Sequence, residues 1–152
     1  MDGPARSSGG LERIHRWLLW MLVLGLAGTE AELLLLEHYE DLWQWAPLLL
    51  IAVALAVVGW HAMRRDAGSL RVLRIVMVLF LVAGFAGVAL HFRGAAEFQL
   101  EIDPAMGAWD LVKKVMRAKA PPVLAPGVML LLGLMGLAYA LSNSRDKRSE
   151  MP

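Results

Sequence analysis

Four stretches of this chain are long and apolar enough to cross a bilayer: Trp17 to Leu36, Trp43 to Met63, Val72 to Phe92, and Val123 to Leu141. A hydrocarbon core about 30 Å thick needs roughly 17 to 25 mostly apolar residues per helix. Lipid satisfies no backbone polar group, so helices or closed barrels are the only spanning structures. These runs are too long for tilted strands, and the fold they dictate is an all-α integral membrane protein built as a four-span helical bundle. With 58% hydrophobic and 19% charged residues, the chain lies outside the ordinary soluble range.

The charges are segregated. Arg6, Arg13 and Arg16 precede the first span; Arg64, Arg65, Arg71 and Arg74 cluster between the second and third; Arg145, Lys147 and Arg148 follow the fourth. The loop between the first two spans carries Glu37, Glu40 and Asp41 with no Lys or Arg. The positive-inside rule then places both termini in the cytoplasm of a cell whose inner membrane holds the spans. Trp17, Trp20, Trp60 and Tyr139 fall at the inner boundary, and Tyr39, Trp43, Trp45 and Phe92 at the outer one, as interfacial aromatic belts. Residues 1–10 and 142–152, rich in Gly, Ser and charge, read as cytoplasmic tails around a membrane domain of residues 11–141. A signal-peptide reading of the first run, with Gly25-Leu26-Ala27 as a cleavage site, is disfavoured because the apolar pattern continues through Leu36.

Two features suggest a tandem duplication of helical hairpins. At an offset of 59, Gly25-Leu26-Ala27-Gly28 aligns with Gly84-Phe85-Ala86-Gly87, and Glu32 with His91. At an offset of 79, Ala46-Pro47 aligns with Ala125-Pro126, and Trp60 with Tyr139. Two parallel repeats related by an axis along the membrane normal would follow. Gly25/Gly28, Ala52/Ala56, Gly84/Gly87 and Gly133/Gly136 give each span a small-residue face for close packing, which in lipid is what drives helix association.

The extra length of the second half lies in the second external loop. Asp103-Pro104 has the pattern of a helix start. Beyond it Met106, Trp109, Val112 and Met116 share one face and Asp110, Lys113, Lys114 and Arg117 the other, which predicts an external amphipathic helix over residues 104–118, in the headgroup plane or as a lid.

Ionisable residues inside spans are costly and draw functional scrutiny. Glu30 and Glu32 both lie in the first span, and Glu32, on the glycine side, is the candidate for a buried site. Glu32, His38, His91 and Glu97 fall near one membrane face, and carboxylate with imidazole suits a divalent metal or a proton. No close-spaced metal signature supports them. Haem is disfavoured, because His15 and His61, flanked by basic residues, read as ordinary boundary groups far from His38 and His91.

Zero Cys excludes disulfides, Cys-ligated metals and thiol redox chemistry. A net charge of +1 gives no argument for nucleic acid. No nucleotide loop or nucleophile elbow is present, so the expectation is a non-enzymatic membrane protein with an outward Glu/His site for a cation or proton. The rival is a structural or accessory subunit that docks on a membrane partner or on copies of itself. A third reading is an enzyme acting on a lipid or quinone through Glu32.

Overall fold

A computed structural model of the chain describes residues 5–118 and 123–149. It contains five helices in the order α1 (Ala5–Leu35), α2 (Leu42–Arg64), α3 (Ala67–Ile102), α4 (Ala108–Met116) and α5 (Leu124–Ser149). Four of them, α1, α2, α3 and α5, are long and apolar enough to cross a membrane. Their outward faces carry Trp17, Leu24, Leu49, Val82, Phe85, Leu131 and Leu134, all exposed. A surface of this composition is a cost in water and none in lipid, so the bundle of four long apolar helices fits a multi-pass membrane protein.

Local chemistry sets the turns. Asp41 caps α2, its carboxylate accepting from Trp43 N and Gln44 N while the Gln44 side chain returns to the Asp41 backbone. Asp66 caps α3 by accepting from Ser69 N at 2.7 Å, and that bond holds its carboxyl below the usual carboxylate range. Arg65 (φ 49°) ends α2 in the left-handed region, and Glu37 (φ 52°) makes the corresponding turn between α1 and α2. Two tight turns make α1/α2 and α2/α3 antiparallel neighbours.

The four long helices form a ring in which α1 lies between α2 and α5, and α3 likewise between α2 and α5. Its centre is apolar: Leu22 and Leu26 from α1, Ile51, Ala54 and Val58 from α2, Leu73, Met77 and Phe80 from α3, and Leu132 from α5. The closest approach is between α3 and α5. A Cβ on Gly133 would sit 3.0 Å from the Met77 carbonyl oxygen and 3.1 Å from Phe80 Cβ, and one on Gly84 would sit 3.1 Å from the Pro126 carbonyl oxygen. Glycine is required where backbones meet this closely.

The ring order is what two stacked hairpins would give, but the residue correspondences are not kept. A twofold axis exchanging α1 with α3 would turn Gly25 toward α5 and Gly84 toward α2. Both instead face α5: Gly25 lies against Leu132, and Gly84 against Leu130 and Pro126. Gly28 has open space around it while Gly87 lies against Pro126, and Trp60 is exposed while Tyr139 is buried. Of the repeated glycines, Gly25, Gly84 and Gly87 all receive α5, and Gly28 receives no helix.

Element bounds differ from expectation at four places. Helix α1 begins at Ala5, inside the stretch expected to be a tail, and α5 continues to Ser149; residues 1–4 and 150–152 lie outside the described residues. Helix α3 runs ten residues past Phe92, with Arg93 and Glu97 paired at 2.7 Å on adjacent turns. Asp103-Pro104 closes α3 rather than opening the amphipathic helix: Asp103 Oδ1 accepts from Ala105 N at 3.2 Å, making a turn, and α4 starts only at Ala108 after the cap residue Gly107.

Candidate functional site

The bundle carries polar side chains at both ends. At the end opposite the termini, His38 sits in the α1/α2 turn and His91 in the last third of α3. Their rings stack with centroids 6.4 Å apart and planes 20° apart. The local fold explains the encounter. His38 N donates to Leu33 O after the left-handed Glu37, which folds the turn back over the helix end, and α2 then brings the first hairpin alongside α3. His38 is half-buried and His91 exposed. Burial, and next the neighbouring His91 charge, hold the His38 pKa below 6.5, against a smaller opposing pull from Asp41.

The other two expected ligands are elsewhere. Glu32 is exposed, so the glycine side of α1 does not bury it. At about 100° per residue the buried stripe of Leu22, Leu26 and Leu33 passes closer to Glu30, which is half-buried with Oε2 unpartnered. Glu97 is exposed and occupied by Arg93. Among the described residues, no three or more His, Asp or Glu side chains are placed to hold a metal ion together.

At the end bearing the termini lies a network that reading the sequence missed. His61 of α2 is completely buried; its Nδ1 is 2.8 Å from Ser69 Oγ of α3, and its Nε2 is 3.1 Å from the Tyr139 hydroxyl of α5. Ser69 Oγ donates to Asp66 O at 3.1 Å, which makes it the acceptor for a proton on His61 Nδ1, and Tyr139 then donates to the bare Nε2. His15 of α1 joins from the side, its Nε2 2.8 Å from Ser142 Oγ and its ring edge-on to Tyr139. Arg74 Nη2 donates to the Ala140 carbonyl at 2.9 Å.

His61 and Tyr139 are therefore not boundary or belt groups. The arginines flanking His61 pointed to the membrane surface, but the helix face decides, and His61 follows Ala54 and Val58 along the buried stripe of α2. The seven-residue spacing between Ala54 and His61 was the signal available in the sequence. Chemically, this network engages both nitrogens of a fully buried imidazole.

Between the two polar ends lie the packed layers of Leu22, Ile51, Met77, Phe80 and Leu132, with no polar side chain linking the ends through the centre among the described residues. No protein-family model, curated protein or solved structure matches the chain.

Proposed function

We propose that the chain is a small non-enzymatic membrane protein of the inner cell membrane, with both termini cytoplasmic, whose outer face carries a two-histidine site for a cation. The supporting observation is the His38–His91 stack, which joins the first hairpin to α3 outside the apolar layers. Parallel rings 6.4 Å apart admit one positive charge more readily than two. A metal held by both imidazoles needs nitrogens within about 4 Å of each other, given bonds of about 2 Å, so the stack suits a proton as it stands and a metal only after a ring turns.

The sign of the pH response follows from the lowered His38 pKa. The unfolded chain takes up the proton first as pH falls below 6.5, so the contribution of this contact is complete above that value and is lost as pH drops through the folded pKa. Histidine ring NMR of the detergent-solubilised protein tests it. The His38 midpoint is expected below 6.5 and should rise toward it in His91→Gln. An unmoved midpoint sinks the proton reading. Zinc at micromolar levels shifting both rings, and neither in His38→Gln, would make the cation a metal; no response to either ion removes the site.

A separate observation favours the accessory-subunit reading. Ala52, Ala56 and Gly59 form an exposed stripe on α2, and a Cβ on Gly59 would meet nothing within 4 Å. Small residues open to lipid let another helix approach closely. Ala56→Leu should weaken self-association, or association with a membrane partner, while leaving the bundle's thermal stability within about 0.5 kcal/mol. Unchanged association in crosslinking and energy-transfer measurements would count against this face.

A further inference from the structure

The hairpin formed by the outer part of α3 and by α4 holds a basic cavity that neither reading above uses. Helix α4 has three sides. Val115 is buried and Leu111 and Val112 are half-buried, which seats α4 on α3. Trp109 and Met116 are exposed and apolar, and Phe98 and Ile102 of α3 add to that apolar surface. On the third side Asp110, Lys113, Lys114 and Arg117 line an open cavity of about 510 Å³ with Gln99 and Ala118.

The charges in the cavity are uneven. Asp110 pairs with Lys113 at 3.4 Å, and the Lys113 ammonium also lies 5.4 Å from the Trp109 ring centre. Lys114 and Arg117 have no ion-pair partner among the described residues. Two cations are thus left for an anion. Gln99 adds to the lining, while its Oε1 is buried away from solvent with no hydrogen-bond partner.

We propose that this cavity binds the phosphate headgroup of an anionic phospholipid. The phosphodiester meets Lys114 and Arg117. The lipid, rather than a free phosphate, is the source because the cavity adjoins exposed Trp109 and Met116 on a helix that leads, seven residues after Arg117, into the span beginning at Leu124. An aromatic beside cations at the edge of a span is the arrangement that holds a headgroup. The site stands apart from the histidine pair, and either can fail without the other.

Native mass spectrometry of the full chain in neutral detergent tests the proposal, with phosphatidylglycerol, phosphatidylcholine and phosphatidylmethanol of equal chain length. Phosphatidylglycerol and phosphatidylmethanol, both anionic, should be retained more tightly than zwitterionic phosphatidylcholine, and Lys114→Gln with Arg117→Gln should weaken their retention by about thirtyfold, each cation contributing several-fold. Arg71→Gln, at the opposite end, should leave retention unchanged and controls for nonspecific charge. Equal retention of phosphatidylglycerol and phosphatidylcholine, or full retention by the doubly substituted chain with its helicity intact, overturns the proposal. Displacement by millimolar inorganic phosphate or glycerol 3-phosphate would also overturn it, since the ligand would then be a free anion.

Discussion

Replacing His61 by Leu should destabilise the bundle by about 2 kcal/mol, because it removes two buried hydrogen bonds at once and strands the Tyr139 hydroxyl. Ser69 and Tyr139 each bond one nitrogen of the buried ring, at 2.8 and 3.1 Å. Hydrogen bonds between helices in a membrane average only about 0.6 kcal/mol and reach about 1.7, so the bonds alone set the lower part of that figure. A buried polar group left without a partner adds about 1 to 3 kcal/mol. Tyr139→Phe and Ser69→Ala, which each remove one hydroxyl, should cost less than His61→Leu. In a double-mutant cycle His61 and Tyr139 should couple, since removing the ring already leaves the phenol without its acceptor. Unfolding of the purified protein in mixed micelles measures all of these. If His61→Leu unfolds as the wild type does, the network contributes nothing, and the buried ring is only a space-filler.

The second large effect is expected at Gly133. Helix α5 approaches α3 so closely there that an added Cβ would stand 3.0 Å from a backbone oxygen, 3.1 Å from Phe80 Cβ and 2.9 Å from Leu81 Cδ2. The carbonyl cannot yield without moving the helix, and Phe80 is itself fully buried. Gly133→Leu should therefore push α3 and α5 apart and cost about 1 to 3 kcal/mol, the usual range for overpacking a filled core. Gly28→Leu is the matched control: its Cβ would meet nothing within 4 Å, and the added side chain would face lipid. Equal melting of the two variants would show that the α3/α5 seam is looser than these distances require.

The two predictions rest on different interactions at different depths of one helix pair. Gly133 governs how near α3 and α5 lie in the apolar middle, and Tyr139, six residues on, depends on that nearness to reach His61 across the ring. The packing of the middle and the polar network at the end are therefore coupled through α5, and Gly133→Leu should weaken the His61–Tyr139 bond as well.

The candidate sites divide along the same physical line. His38 and His91 were legible as neighbours because loop position and span length fix depth in the bilayer, and both lie at the same depth. Glu32 and Glu97 miss the pair for different reasons: Glu32 lies back inside α1, and Glu97 lies six residues past His91 because α3 continues to Ile102. Glu32 points off the buried stripe of α1, and Glu97 is paired with Arg93 on an adjacent turn. Depth follows from counting apolar residues. Azimuth depends on which neighbour each helix face meets.

The amino-acid sequence by itself determined four long apolar helices and the two short turns between the first three of them, because the preference of long apolar runs for lipid and capping by Asp41 and Asp66 are local or additive effects. It did not determine ring order, the meaning of the glycine pairs, or the burial of His61. The same Gly spacing on α1 and α3 reads as a repeat in one dimension, and only the ring shows both glycine grooves receiving α5. His61 looked like a boundary residue from its arginine neighbours, which point to solvent from other faces of the same helix turns. The tertiary structure decided these points because helix faces acquire an inside only when the other helices are in place. In a bilayer, where apolar faces gain nothing by leaving lipid, close packing and buried hydrogen bonds make that choice.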